Sequence, residues 1–296
     1  KIFSNELMIA SIIFFSLHVV GMIWTNNVSW GLHIIHKMWY FLLLFPIFFT
    51  LVQKKYIKYY ISSFLLAICL TELLSYLIWF EIIPPFNNAT ISDPTPFMNH
   101  ISYNPILAFA IYLVCHKLFF NKDLSRLKLL IYSFLAISMS VNMFITGGRA
   151  GQVMFFGVVS ILIFQYFYTQ KLKAIMLIVI CTTGIFFTAF QSSPIFHHRV
   201  IAAIENVQQY DVDKYTSVGL RISFATNSWK LIKEHPFIGV GTGDFPVAYS
   251  RVNIIYTPEL HPTSNPHNMY VLIFTQLGIV GLVSFLTIFY YQIKFS

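Results

Sequence analysis

The chain has 296 residues, of which 57% are hydrophobic and only 10% are charged. Soluble domains carry about 25% charged residues, so this composition excludes an ordinary soluble enzyme, a disordered chain and a basic DNA-binding domain. The formal net charge of +8 comes without a basic cluster of the kind that binds nucleic acid. We therefore expect one all-α polytopic membrane protein, with the lipid bilayer and not nucleic acid as its partner.

Eight apolar runs predict eight transmembrane helices, because a bilayer core requires roughly 20 apolar residues per helix. The runs are continuous and do not alternate between polar and apolar residues, which favours helices over a barrel. In chain order the predicted spans are 7–24, 36–52, 59–83, 101–120, 127–146, 151–169, 172–190 and 268–290.

Lysines and arginines in the short connectors predict the orientation of these helices. The connectors 53–58, 117–128 and 170–173 are basic, whereas 84–100 contains no Lys or Arg. We expect the basic connectors to face the cytoplasm. The loops 25–35, 84–100, 147–150 and 191–267 then lie outside, which in a bacterium is the periplasm.

This orientation divides the chain into three parts. Residues 1–190 are expected to form a transmembrane bundle of about seven helices, 191–267 a periplasmic loop, and 268–296 a transmembrane helix with a cytoplasmic end. The loop is much longer than ordinary connections, and such loops are usually functional or disordered. Its aromatic and aliphatic content favours function.

The loop contains one predicted amphipathic helix that carries Arg221. Ser217 is a plausible N-cap, and Leu220, Phe224 and Leu231 fall roughly on one face. The helix is expected to rest on the bilayer surface or on the bundle and to end at His235-Pro236. An ordinary solvated arginine is the alternative interpretation of Arg221.

Two further polar residues fall near predicted helix starts on the same side of the membrane. Arg149 follows Gly147-Gly148 and opens the sixth predicted span, where it acts as an anion clamp or as an interfacial arginine that reaches the headgroups. Asn265 can cap the last span and Pro266 suits its first position, which places His267 in the first helical turn. Two arginines and a histidine would then form one anion-binding site with a base.

Weaker signals at other positions predict no metal or nucleotide site. The segment 239–244, Gly-Val-Gly-Thr-Gly-Asp, lacks the Lys-Ser/Thr pair of a phosphate loop and is expected to be a tight turn. His197-His198 and the His261/His267 pair lack zinc spacing. The acidic Glu72 lies inside the third span without a second charge that would define a proton path.

Together these segments resemble the bacterial O-antigen ligase family, which also includes related polymerases and protein O-oligosaccharyltransferases. The resemblance extends from about residue 140 to 290. It is carried by Gly-Gly-Arg-Ala-Gly at 147–151, Gly-Leu-Arg at 219–221, Trp229, His-Pro-Phe-Ile-Gly-Val-Gly at 235–241, Asn-Pro-His-Asn-Met-Tyr at 265–270 and Gly-Ile-Val-Gly-Leu at 278–282.

The resemblance implies a GT-C-type helical bundle in the bacterial inner membrane, in a family that typically has about a dozen spans. It implies an inverting glycosyltransferase that takes a glycan from undecaprenyl diphosphate on the periplasmic face, with no metal or other cofactor. Arg149 and Arg221 would bind the lipid diphosphate and His267 would activate the acceptor hydroxyl. The residues expected to support this site are Gly148, Asn265, Asn268 and Lys230.

The leading functional hypothesis is therefore an O-antigen ligase that transfers glycan to an acceptor sugar of lipid A-core. A polymerase or a protein O-oligosaccharyltransferase would use the same donor with another acceptor. A lipid or solute transporter would instead require broken helices and paired charges at the membrane midplane, and a non-catalytic scaffold would leave Arg149, Arg221 and His267 without a purpose.

Overall fold

The computed structural model describes residues 5–87 and 89–295, and these residues form an all-helical protein with no named strand. The ends of the first and last predicted domains, residues 1–4 and 296, lie outside the described residues. The helices are α1 (Glu6–Val20), α2 (Val28–Leu42), α3 (Leu44–Leu51), α4 (Ile57–Trp79), α5 (His100–Phe120), α6 (Arg126–Ile145), α7 (Arg149–Tyr166), α8 (Lys171–Ser192), α9 (Pro194–Gln208), α10 (Ser217–Glu234), α11 (Phe245–Tyr256) and α12 (Met269–Phe295).

The helices group into two compact units. Unit 1 comprises the described residues of Lys1–Lys55 and Glu205–Ser296, and unit 2 comprises those of Tyr56–Ile204. Unit 1 therefore holds α1 to α3 and α10 to α12, and unit 2 holds α4 to α8. The expected division into a bundle, a periplasmic loop and a final helix concerns membrane placement, and it stays a prediction.

Seven stretches are long and apolar enough to cross a membrane, as expected for a polytopic membrane protein. Each overlaps one of the predicted spans from 36–52 onwards; they are Val28–Leu51, Lys54–Trp79, His100–Phe120, Arg126–Ile145, Arg149–Tyr166, Lys171–Ser192 and Met269–Phe295. The first predicted span, 7–24, corresponds to the shorter α1 of 15 residues, which rises about 22 Å.

The chain is closely packed at Gly21, the C-cap of α1. A methyl group added at Gly21 would lie 2.4 Å from Oγ1 of Thr242 and 2.7 Å from a methyl carbon of Leu277. The chain turns at residues 21–24, so α1 is shorter than the apolar character of 21–24 had suggested.

Pro46 divides the second stretch into α2 and α3. Proline lacks an N–H and its ring clashes with the carbonyl four residues earlier, which here belongs to Leu42. Helix α2 ends at Leu42, and α3 begins at Leu44. The two helices together still supply the length of one membrane span.

Unit 2 is built around α5, which packs against α4, α6 and α7. Its core contains fully buried apolar side chains, among them Leu107, Val114 and Met139. Consecutive helices run in opposite directions, so the basic starts of α4, α6 and α8 and the end of α5 share one end of the unit. The starts of α5 and α7 lie at the other end.

Unit 1 has two apolar clusters. The first joins α1, α2 and α12 through residues such as Phe14, Ile34 and Phe285. The second joins α10, α11 and α12 through Phe224, Leu231, Phe245, Tyr249, Val252 and Leu272. The apolar face predicted for the amphipathic helix is therefore buried against neighbouring helices, which is the bundle alternative of the two that the sequence left open.

The last helix, α12, is broken at Gly278, whose φ of 63° lies in the left-handed region. The break frees backbone groups that an intact helix would pair internally. The segment after α10 pairs with them: Val240 N–H donates to the carbonyl of Thr275 at 2.9 Å, and Ile279 N–H donates to that of Pro236 at 2.9 Å. The His-Pro…Gly segment and the Gly-x-x-Gly segment of α12 are thus two halves of one packing arrangement.

We predict that Gly278→Ala lowers the free energy of unfolding by about 3 kcal/mol, the sum of left-handed backbone strain and overpacking. The added methyl would lie 2.2 Å from the backbone carbonyl carbon and oxygen of Phe237. Gly157→Ala in α7 is the matched control, because no atom lies within 4 Å of its added methyl and alanine favours helices. Equal thermal stability of the two variants in detergent would contradict the packing account.

Candidate glycan-transfer site

Arg221 lies on α10 in unit 1, and its helix begins one residue earlier than the predicted cap implied. Thr216, not Ser217, is the N-cap, and its hydroxyl accepts a hydrogen bond from Gly219 N–H at 3.0 Å. Arg221 is the fifth residue of the helix and is exposed. Phe224 follows three residues later, so the two side chains are neighbours on one helix face.

His267 lies before α12, not inside its first turn as the sequence predicted. Its φ of 56° is left-handed and incompatible with a helical residue. Asn265 Oδ1 accepts a hydrogen bond from the His267 N–H at 2.8 Å and closes a local turn. Asn268 is the cap, because its Oδ1 accepts hydrogen bonds from the N–H groups of Tyr270 and Val271.

His267 packs against Phe224, which lies three residues after Arg221 on α10. The rings of Phe224 and His267 are stacked, with centroids 6.0 Å apart and an interplanar angle of 26°. Within the described residues the His267 imidazole has no hydrogen-bond partner, and the side chain is exposed. Unit 1 thus places one accessible imidazole against Phe224, which follows Arg221 by three residues on α10.

The loop that carries His267 is anchored to unit 1 by polar contacts. Lys214 Nζ donates to Glu259 Oε1 at 2.7 Å, and Asn227 Nδ2 donates to Thr257 Oγ1 at 2.7 Å. The hydrogen bond between the two side chains lowers the pKa of Glu259 and raises the pKa of Lys214. Because the pKa of the acid is lowered, this ion pair is lost only when the pH falls far enough to protonate Glu259. It therefore persists at neutral pH.

Arg149 lies in unit 2 as the first residue of α7, as predicted, with Gly148 as the N-cap. A methyl added at Gly148 would lie 2.6 Å from the carbonyl oxygen of His100, and one at Gly151 would lie 2.2 Å from Cβ of Asn104. The structure uses Gly148 and Gly151 to bring α7 close to α5, the role of small residues between membrane helices.

Buried polar side chains of unit 2 form hydrogen bonds with the turn before Arg149. Asn104 Oδ1 accepts from the Thr146 hydroxyl at 2.8 Å, and Asn104 Nδ2 donates to the Gly148 carbonyl at 3.4 Å. Asn142 continues the network by donating to Ser75 at 2.9 Å. Such satisfied networks rigidify the backbone around them, so the position of the α7 start is fixed by α4, α5 and α6.

A second polar cluster lies at the same turn and was not singled out in the sequence. Asp93 Oδ2 and His100 Nδ1 are 2.6 Å apart, and Asp93 Oδ1 accepts a hydrogen bond from Gly147 N–H at 3.5 Å. A methyl added at Gly147 would lie 3.2 Å from Nη2 of Arg199. Asp93 and His100 are seven residues apart, Arg199 lies far beyond them in the chain, and the three match no motif, so only the fold reveals the cluster.

The segment 239–244 offers no phosphate site. Every backbone N–H from Gly239 to Asp244 has an acceptor within the described residues. The Asp244 carboxylate is buried and accepts hydrogen bonds from the N–H groups of Asn26 and Asn27. The segment therefore organises unit 1, in agreement with the interpretation as a turn.

The remaining expected supporting residue, Lys230, has an aromatic partner in unit 1. Its Nζ lies 3.8 Å from the centre of the Tyr256 ring, a distance typical of a cation–π contact. Among the described residues, no group of three or more His, Cys, Asp or Glu side chains could hold a metal ion. His267 stacks on the helix that carries Arg221 in unit 1, while Arg149 is described with unit 2.

Fold and site define a multi-pass membrane protein that presents arginine and histidine side chains near helix starts. The O-antigen ligase family profile matches residues 134–286, which is more than half of the chain and includes Arg149, Arg221 and His267. The chain belongs to the O-antigen ligase family. A search among curated proteins finds no match. Members of this family are membrane glycosyltransferase-like enzymes, and the wider superfamily includes ligases, polymerases and oligosaccharyltransferases.

Proposed function

We propose that this protein is an O-antigen ligase of the bacterial inner membrane, with its active face in the periplasm. It transfers a glycan from undecaprenyl diphosphate to an acceptor sugar of lipid A-core by an inverting reaction that needs no metal. The observation that carries the proposal is that the family match spans Arg149, Arg221 and His267 together. The stacking of His267 on Phe224, one helical turn from Arg221, adds support.

His267 acts as the general base in this proposal. Its imidazole takes the proton from the acceptor hydroxyl as that oxygen attacks the anomeric carbon of the donor sugar. The ring is exposed and has no hydrogen-bond partner among the described residues, so it is suited to receive an acceptor hydroxyl. A positioned general base commonly increases the reaction rate by about 10²- to 10⁴-fold. Stacking on Phe224 restricts the orientation of the ring.

Arg149 and Arg221 bind the lipid diphosphate and stabilise the charge that develops as undecaprenyl diphosphate leaves. Guanidinium groups suit this role because they remain protonated and form paired hydrogen bonds with phosphate oxygens. The leaving group is already a good one, so no general acid is required. This differs from a glycoside hydrolase, in which a carboxyl pair supplies both acid and base or nucleophile.

An in vitro transfer assay tests this function directly. The purified wild-type protein is reconstituted in membranes and mixed with lipid-linked glycan and lipid A-core. We expect glycan-bearing lipid A-core to form in the presence of EDTA, because no step uses a metal. Failure to form this product with an active donor and acceptor would contradict the ligase assignment. A longer lipid-linked glycan formed in its place would identify a polymerase.

A deletion strain separates the same alternatives in cells. Loss of the ligase removes all long chains from lipid A while lipid-linked polymer accumulates. Loss of a polymerase leaves single repeats attached to lipid A, and loss of a protein-directed transferase leaves the lipopolysaccharide unchanged. The first pattern is the one we expect.

A further inference from the structure

Arg199 of α9 lies beside the turn that leads to Arg149. Its Nη2 would be 3.2 Å, and the Nδ1 of His100 3.7 Å, from a methyl added at Gly147. Arg149 follows Gly147 by two residues, so their Cα atoms are at most about 7.6 Å apart. Two arginines of unit 2 therefore flank one turn.

Asp93, a carboxylate that contacts this turn, forms no ion pair with Arg199. Asp93 is engaged with His100 through Oδ2 at 2.6 Å and with the Gly147 N–H through Oδ1. Arg199 is exposed and forms no ion pair in the part of the chain that the structure describes. An exposed arginine beside a fixed backbone turn, with no ion pair among the described residues, retains its capacity for an external anion.

An apolar cavity of about 1100 Å³ adjoins this turn within unit 2. Side chains of α5 to α8 line it, and at one end its walls include Ile145, Ser193 and Pro194. Ile145 immediately precedes the Thr146-Gly147 turn, and Pro194 begins the helix that carries Arg199. The cavity wall therefore reaches residues that adjoin, along the chain, the Gly147 turn and the start of the Arg199 helix. An arginine near the end of an apolar cavity is the combination that would suit an anionic headgroup with a long hydrocarbon tail.

We propose that Arg199 is a further phosphate-binding residue, which acts with Arg149 on a diphosphate whose lipid tail enters the cavity. Identification of the ligand as the glycan donor rests on the proposed function; the binding of a diphosphate by Arg199 does not. Asp93 pairs with His100 and accepts a hydrogen bond from the Gly147 N–H, which helps to fix the turn beside Arg199.

Binding of undecaprenyl diphosphate and of inorganic pyrophosphate to the full chain in lipid nanodiscs tests this proposal. We expect Arg199→Gln to weaken binding of both about tenfold, the effect of one lost charge-assisted hydrogen bond. Arg199→Lys should recover part of the affinity because it retains the charge. Arg126→Gln is the matched control, an exposed arginine at the first position of α6, and should bind as the wild type does.

The two ligands separate a lipid site from a general anion site. Tighter binding of undecaprenyl diphosphate than of pyrophosphate, reduced by Ile145→Asp in the cavity wall, supports entry of the tail. Equal binding of both ligands overturns that part of the proposal. Wild-type affinity in Arg199→Gln, or no diphosphate binding by the wild type, overturns the role of Arg199. Diphosphate binding that depends on Arg199, without glycan transfer by the wild type, would contradict the ligase function alone.

Discussion

His267→Ala is expected to lower kcat for glycan transfer by about 10²- to 10⁴-fold, the usual contribution of a positioned general base. The donor KM should change little, because the imidazole acts on the acceptor hydroxyl and not on the diphosphate. Added imidazole should restore part of the rate in the alanine variant by entering the space beside Phe224. Initial rates with purified protein and saturating acceptor measure all three effects.

His261→Ala is the matched control for this variant. His261 lies on the same loop and is also exposed, but it has no place in the proposed reaction. Wild-type rates are expected for it. Full activity in His267→Ala, or an equal loss in both histidine variants, would remove His267 from the role of base.

Arg221→Ala and Arg149→Ala are each expected to lower kcat/KM by about 10²- to 10³-fold, the range found when one group that stabilises developing negative charge is removed. Lysine at either position should recover only part of the loss, because it cannot form paired hydrogen bonds with phosphate. Steady-state rates with varied donor concentration measure the change.

Arg126→Ala serves as the control for both arginine variants. It opens α6 as Arg149 opens α7, and the α6 helix of about 30 Å separates their positions. Its transfer rate should equal that of the wild type. Thermal unfolding of all variants is measured in parallel, because loss of folded protein in Arg149→Ala would account for inactivity without any role in phosphate binding.

The fold followed from the sequence where continuous apolar runs decided the structure. A run of about 20 apolar residues has few alternatives to a membrane helix, and seven of the predicted spans correspond to long apolar helices. The limits of α1 and α12 did not follow in the same way. The start of α12 depends on a single backbone angle, the left-handed φ of His267. At the end of α1, Gly21 packs against residues that lie far away in the chain.

The site was predictable only in part for a related reason. Arg149, Arg221 and His267 belong to segments whose spacing resembles a family. The stacking of His267 on Phe224 was not predicted, because Phe224 was assigned only to an apolar helix face. Asp93 and Arg199 both come close to Gly147 through the packing of unit 2, so no local sequence pattern marks them.

The central claim is that Arg149 and Arg221 act on the same diphosphate. A double-mutant cycle on undecaprenyl diphosphate binding tests it most directly, with the wild type, Arg149→Ala, Arg221→Ala and the double variant in lipid nanodiscs. If both guanidinium groups bind one ligand, the two losses should be coupled by about 0.5–3 kcal/mol. Losses that add to within about 0.5 kcal/mol, or an unchanged affinity in either single variant, would contradict it.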